Sequence, residues 1–107
     1  MHVQIVNFRL KDISEEEYCR QCESIAFAFA NLPGLVSKTW LADPETNTYG
    51  GVYVWQNRQA MENHKETDIY KGMATNPHFD GVTVKDFSVL ENPSRVTQGS
   101  VEVPVQG

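Results

Sequence analysis

Basic charge is scarce in this chain: nine Lys and Arg stand against 14 Asp and Glu, for a formal net charge of −5. A nucleic-acid binder needs a basic stripe to neutralise phosphates, and none is present. The same deficit disfavours acidic phosphorylated ligands and points to a neutral, aromatic or greasy small molecule. Long apolar runs are also missing, so no segment reads as a membrane span. Met1-His2-Val3-Gln4 lacks the basic region and apolar core of a secretory leader, and the expected location is cytoplasmic. There is no phosphate-cradling glycine loop and no Ser-His-Asp order. Gly50-Gly51 opens a strand rather than preceding a helix, which suits hairpin geometry and not a nucleotide loop.

Cysteine is limited to Cys19 and Cys22, in a C-x-x-C spacing. A redox pair places its first thiol at a helix N-terminus, whereas Cys19 falls inside the helix expected here. Zinc needs two further ligands, and His2, His64 and His78 show no ligand spacing. Free thiols and no structural metal are the expectation.

What is present reads as one domain over residues 1–91 followed by a tail, 92–107. Residues 2–10 alternate as a strand, with Val3, Ile5 and Asn7 on one face and Gln4, Val6, Phe8 and Leu10 on the other. Ser14 and Glu17 form a capping-box pattern that opens a helix, and Tyr18, Cys22, Ile25, Phe29 and Leu32 make its apolar stripe. Leu32-Pro33-Gly34 stops that helix and reverses the chain. Strands are expected over 35–42 and 49–55, joined by a polar turn. Asn57 caps a second helical region that breaks near Glu66-Thr67-Asp68, resumes through Ile69, Tyr70 and Met73, and stops at Asn76-Pro77. A last strand covers 82–90, with Val82, Val84 and Leu90 on one face and Phe87 and Val89 on the other. The tail carries Pro93, Gly99 and Pro104 without helical period, and alternating Val101, Val103 and Val105 allow a strand-like arm.

The order β-α-β-β-α-β is the ferredoxin-like split motif, an α+β class with an antiparallel sheet. Two helices cover one sheet face only. The strands carry apolar residues on both, and an open face bearing groups such as Phe8 and Val89 is one that monomers rarely tolerate. A homodimer packed sheet to sheet is therefore expected.

Pro33-Gly34, Lys38, Trp40 and Gly50-Gly51-Val52-Tyr53 with Trp55 one residue further resemble the YdhR family of monooxygenases. The likeness spans roughly residues 3 to 90. It implies a dimeric α+β barrel, related to the antibiotic-biosynthesis monooxygenases, with a pocket between the helices and the covered sheet face. Oxygenases of this superfamily often carry an Asn near Asn7, and their W…H arrangement resembles Trp55 followed by His64 on the next helix. Haem-degrading relatives place a His late in the second helical region, where Met73 and Ala74 stand here.

The candidate catalytic residues are thus His64 as proton acceptor, Asn7 as a buried amide and Tyr70 as a hydrogen-bond donor to developing charge. Trp40, Tyr53 and Trp55 are candidate walls of a flat apolar substrate pocket, and each equally suits ordinary core packing. Lys38, on the face of Trp40, reads as a pocket cation, an interface residue or a snorkelling surface group. His78 and Phe79 belong to a loop that could form the pocket's lip. The function implied is cofactor-independent oxidation of an aromatic or polyketide-like molecule by O2, with no metal and no organic cofactor. Cofactor-free isomerisation or cyclisation, and non-catalytic small-molecule binding by a stress-associated dimer, are the alternatives.

Overall fold

A computed structural model gives the fold and describes residues 1–101; the arm read at Val103 and Val105 lies outside the described residues. Eight elements follow in order: β1 (His2–Leu10), α1 (Glu15–Ala30), β2 (Leu35–Asp43), β3 (Thr48–Trp55), α2 (Arg58–His64), α3 (Asp68–Thr75), β4 (Phe79–Ser88) and α4 (Glu91–Val96). All pairings are antiparallel and the sheet order is β2-β3-β1-β4. This is the ferredoxin-like α+β architecture that the element order requires. No helix among the described residues is long and apolar enough to cross a membrane.

Local chemistry sets most boundaries. The Ser14 hydroxyl accepts from the Glu17 amide at 3.1 Å and starts α1. The Glu17 carboxylate does not return the bond; it pairs with Arg20 one turn on. Gly34 takes φ +78° where α1 gives way to β2, and a Cβ there would lie 2.5 Å from the Ala60 Cβ, so this turn is packed directly on α2. Gly50 takes φ +145°, and a Cβ would meet the Val6 carbonyl oxygen at 1.8 Å, so only glycine lets β3 approach β1 here. Thr67 caps α3, accepting from the Tyr70 amide at 3.3 Å, and separates it from α2 as the sequence predicts.

Three expectations change. β4 begins at Phe79, three residues before the expected Val82, and ends at Ser88, so Leu90 is not on its inner face but caps α4 and is exposed. The tail opens with the short helix α4, because Pro93 sits in its first turn, where no amide proton is needed. The faces of β1 are also reversed from the expected assignment. Gln4, Val6 and Phe8 lie under the helices, opposite Tyr53, Gly51 and Tyr49. Val3, Ile5 and Asn7 face away, beside Val54, Val52 and Gly50 of β3 and Phe87, Lys85 and Thr83 of β4.

The core sits between the helices and that inner face. Val6, Phe8, Tyr18, Phe29, Tyr49, Tyr53, Trp55 and Met61 are its buried members. Six of the eight, together with Phe79, form edge-on, stacked or tilted aromatic contacts at 4.1–6.1 Å.

Candidate functional site

A cavity of about 340 Å³ opens between α1, α3 and the inner sheet face. Its floor is bare backbone at Gly50 and Gly51, and its walls include Phe8, Phe29, Trp40, Tyr53 and Phe79. The volume lies in the range of small-molecule sites, and the lining has their usual character, mostly apolar with a few polar groups. α1 supplies Tyr18, Cys22, Ile25 and Phe29, and α3 supplies Ile69 and Met73. The spacing 18-22-25-29 reads from sequence as a core stripe, and it is also the cavity's roof.

Lys38 projects from β2 into this space. Its Nζ lies 3.3 Å from the centre of the Trp40 ring, 3.5 Å from Phe29 and 4.7 Å from Tyr53. Among the described residues it makes neither an ion pair nor a side-chain hydrogen bond. Burial pushes the amine down to about 7, while the charge of the Cys22 thiolate would pull it the other way. The three ring faces also favour the ammonium form. Among the described residues no carboxylate and no imidazole lines the cavity. Burial holds the Tyr18 and Tyr53 hydroxyls and the Cys22 thiol above their ordinary values, so these groups stay protonated near neutrality and do not serve as bases. Among the described residues Lys38 is therefore the one lining side chain able to take up a proton near neutrality.

His64 is placed differently. It is buried and packed among Trp55, Tyr70, Tyr53 and Phe29, with ring centres 5.0, 5.5, 5.9 and 6.2 Å away. It does not line the cavity, although Tyr53 and Phe29, on which it packs, do. Burial, reinforced by the charge on Lys38, lowers His64 to about 4, so the ring is neutral at pH 7. The Thr67 hydroxyl donates to the His64 carbonyl at 2.6 Å, and His64 Nδ1 lies 3.4 Å from that same oxygen. With the hydroxyl proton so used, Nδ1 is the donor in that contact and Nε2 carries the lone pair.

The sequence-predicted residues thus fall into three groups. Lys38, Trp40, Tyr53 and Phe79 meet at the cavity. Trp55, His64 and Tyr70 converge as expected, because α2 breaks at Thr67, but they converge in packed core and not on the cavity. Trp55 is fully buried and donates to Gln4 Oε1 at 3.1 Å, leaving Gln4 Nε2 without a partner. Asn7 and His78 are outside both. Asn7 lies on the open sheet face and donates to the Tyr49 carbonyl at 3.3 Å, because β1 alternation puts Gln4 and not Asn7 under the helices. His78 donates from Nδ1 to the Lys11 carbonyl at 2.9 Å, which ties it to the β1–α1 connection and away from the cavity mouth. Residues missed by sequence reasoning are Cys22, Phe29 and Met73, whose helical spacing signals burial but not an empty volume beside it. Among the described residues no three His, Cys, Asp or Glu side chains group as metal ligands, and both cysteines are free thiols.

The α+β ferredoxin-like fold, with its cavity between helices and inner sheet face, is one that the chain shares with solved structures of antibiotic-biosynthesis monooxygenase type. Within it, residues 3–100 match the family described as "Putative mono-oxygenase ydhR", and the chain belongs to that family. Solved structures of similar fold include SnoaB, a cofactor-independent oxygenase from Streptomyces nogalater (mutant N63A). It shares 23% identity over 85% of this chain and 95% of its own, with a TM-score of 0.64. The haem-degrader MhuD of Mycobacterium tuberculosis, with two haems bound in its active site, shares 20% identity over 86% and 98%, at a TM-score of 0.69. A protein described as an antibiotic biosynthesis monooxygenase shares 15% over 84% and 99%, at 0.68. At these identities the likeness is one of fold. A comparison with curated proteins gave no match.

Proposed function

We propose that this protein is a cofactor-independent monooxygenase that oxidises an aromatic or polyketide-like small molecule with O2, and that it works as a homodimer. Family membership supports oxygenation. The observation that carries the reading is a single desolvated amine, Lys38, in an aromatic-walled cavity of about 340 Å³. A phenol or enol lying against Trp40 and Tyr53 would pass its proton to Lys38 Nζ. The ammonium so formed would hold the anion in a site poor in water, where such pairing is strong. The anion gives one electron to O2, and the resulting radical pair joins at the ring CH conjugated with the ionised oxygen, forming a peroxide anion on a carbon that keeps one hydrogen. Lys38 returns its proton, and loss of water leaves a new carbonyl; one oxygen atom stays in the product and the other leaves as water.

A haem does not fit this scheme. None of His2, His64 and His78 lines the cavity, so the chain offers it no imidazole ligand. The dimer is supported by the open sheet face, where Val3, Ile5, Val52 and Val54 adjoin and Phe87 is half exposed. Two free thiols fit the reducing conditions of the cytoplasm. Oxygen uptake in the presence of 1,8-dihydroxy-9-anthrone and a panel of naphthols tests the reading. Consumption of one O2 per carbonyl formed, insensitive to chelators, is expected. Conversion without O2 uptake would replace it with isomerisation or cyclisation, and tight binding without conversion would replace it with a binding role.

A further inference from the structure

Lys38 is an unusual lysine for a reason separate from proton transfer. Its amine lies between two aromatic faces, unpaired among the described residues, on the wall of a cavity large enough for a ring system. Its side chain also borders a second, open hollow whose lining includes Phe29, Leu35, Ser37 and Trp40. The amine therefore stands between an apolar chamber and solvent. An ion-pair partner would lock it as ammonium, and an exposed position would offer ligands no binding surface; Lys38 has neither.

We propose that Lys38 is a covalent capture site for aromatic and ring-conjugated aldehydes and ketones, which it binds as imines. The nitrogen lone pair attacks the carbonyl carbon, a C–N bond forms, and the oxygen leaves as water with the two amine protons, giving C=N. The aromatic walls hold the ring of the ligand, and the open hollow takes the released water. The reaction needs the neutral amine. A lysine in water is almost wholly protonated at pH 7.5, whereas burial brings Lys38 to about 7 and leaves a large neutral fraction there. Tyr18 and Tyr53, which line the same cavity, stay neutral hydroxyls in that range, and the Cys22 thiol is raised by burial, so none of the three forms an anion to hold the proton. This capture shares its cavity with the monooxygenase reading but not its chemistry, since it consumes no O2.

The test is reductive trapping of the full-length protein with 2-naphthaldehyde and cyanoborohydride at pH 7.5, followed by peptide mass spectrometry. The chain's other lysines, Lys11, Lys65, Lys71 and Lys85, are internal controls. Labelling of Lys38 at least about tenfold faster than any of them is expected, given the neutral fractions of a depressed and an ordinary lysine amine. Excess 2-naphthylmethanol, which has the ring but no carbonyl, should slow labelling at Lys38 alone. Labelling spread over the other four lysines with Lys38 no faster would overturn the proposal. So would Lys38 labelling that the alcohol leaves unchanged. A Lys38→Met protein, checked by circular dichroism, should lose the protected adduct and keep the other four. Oxygen uptake is measured apart from all of this, so either reading can fail while the other stands.

Discussion

Two basic side chains approach the same tyrosine, Tyr53, and their fates differ. Under α2 and α3, His64 is enclosed by four aromatic rings. Under α1, Lys38 is caged by three rings but borders empty volume. Burial acts on both in one direction, against the charged form. For the imidazole that means about 4, which takes it out of acid–base work at pH 7; for the amine it means about 7, which brings it in. The residue type that ordinarily titrates near neutrality has been silenced, and the one that ordinarily does not has been recruited.

The largest effect that would sharpen this contrast is on catalysis. Lys38→Met should lower kcat on a true substrate by ~10²–10⁴, the usual loss on removing an acid–base group. His64→Phe should change kcat by less than about tenfold. The reverse ranking in steady-state oxygen uptake would break the comparison and return the base role to His64.

Stability should rank the same two positions the other way. His64→Ala removes a packed ring from the core and is expected to cost about 2–4 kcal/mol in urea denaturation. Lys38→Met replaces a desolvated amine with an apolar chain of similar length, and its cost should be within about 1 kcal/mol or negative.

The pH dependence of Tm separates them further. Lys38 is lowered from 10.5 to about 7, so between those values the unfolded chain holds more protons than the folded one. Stability from this group therefore rises with pH across that window, and below it the folded state carries the full cost of a buried ammonium. His64, lowered from 6.5 to about 4, gives the same sign in a lower window: stability is complete above 6.5 and is lost on acidification toward 4. Lys38→Met should flatten the alkaline rise and His64→Phe the acid fall. Tm measured from pH 4 to 10 checks both.

The smallest change tests placement alone. A Cβ at Gly51 would lie 2.9 Å from Lys38 Cε and 3.4 Å from the Tyr53 ring. Gly51→Ala should shift the amine off its cage and raise KM a few-fold; the lysine end can yield, while the Thr39 carbonyl oxygen 3.3 Å from the new Cβ must give slightly, so a small fall in Tm is expected as well. Unchanged KM would show that the amine's position is not critical.

How much of this was legible in the sequence depends on the range of the interaction. The Ser14 cap, the Pro33-Gly34 reversal, the Gly50-Gly51 strand and the Thr67 break are set by neighbours in the chain, and all are where the residues put them. The face of β1 is not local. Each face carries apolar residues and one amide, and the choice is made by what lies across the sheet. Trp55 satisfies the Gln4 carbonyl oxygen in the core, while Asn7 bonds the Tyr49 carbonyl from outside. Alternation alone cannot say which amide finds a buried donor. A cavity is less visible still, because the stripe Tyr18, Cys22, Ile25 and Phe29 is the same whether it meets side chains or the bare backbone of two glycines.

The break at Thr67 also divides the second helical region mechanically. α2 is anchored by buried Met61 and His64, whereas α3 buries none of its residues completely, yet α3 contributes Ile69 and Met73 to the cavity. A segment that carries little of the core can open at small free-energy cost while the rest of the molecule stays shut. The wall that α3 contributes is thus the part of the fold whose movement least disturbs the core, and the width of the cavity can change at α3 independently of the stability held by α2 and the sheet.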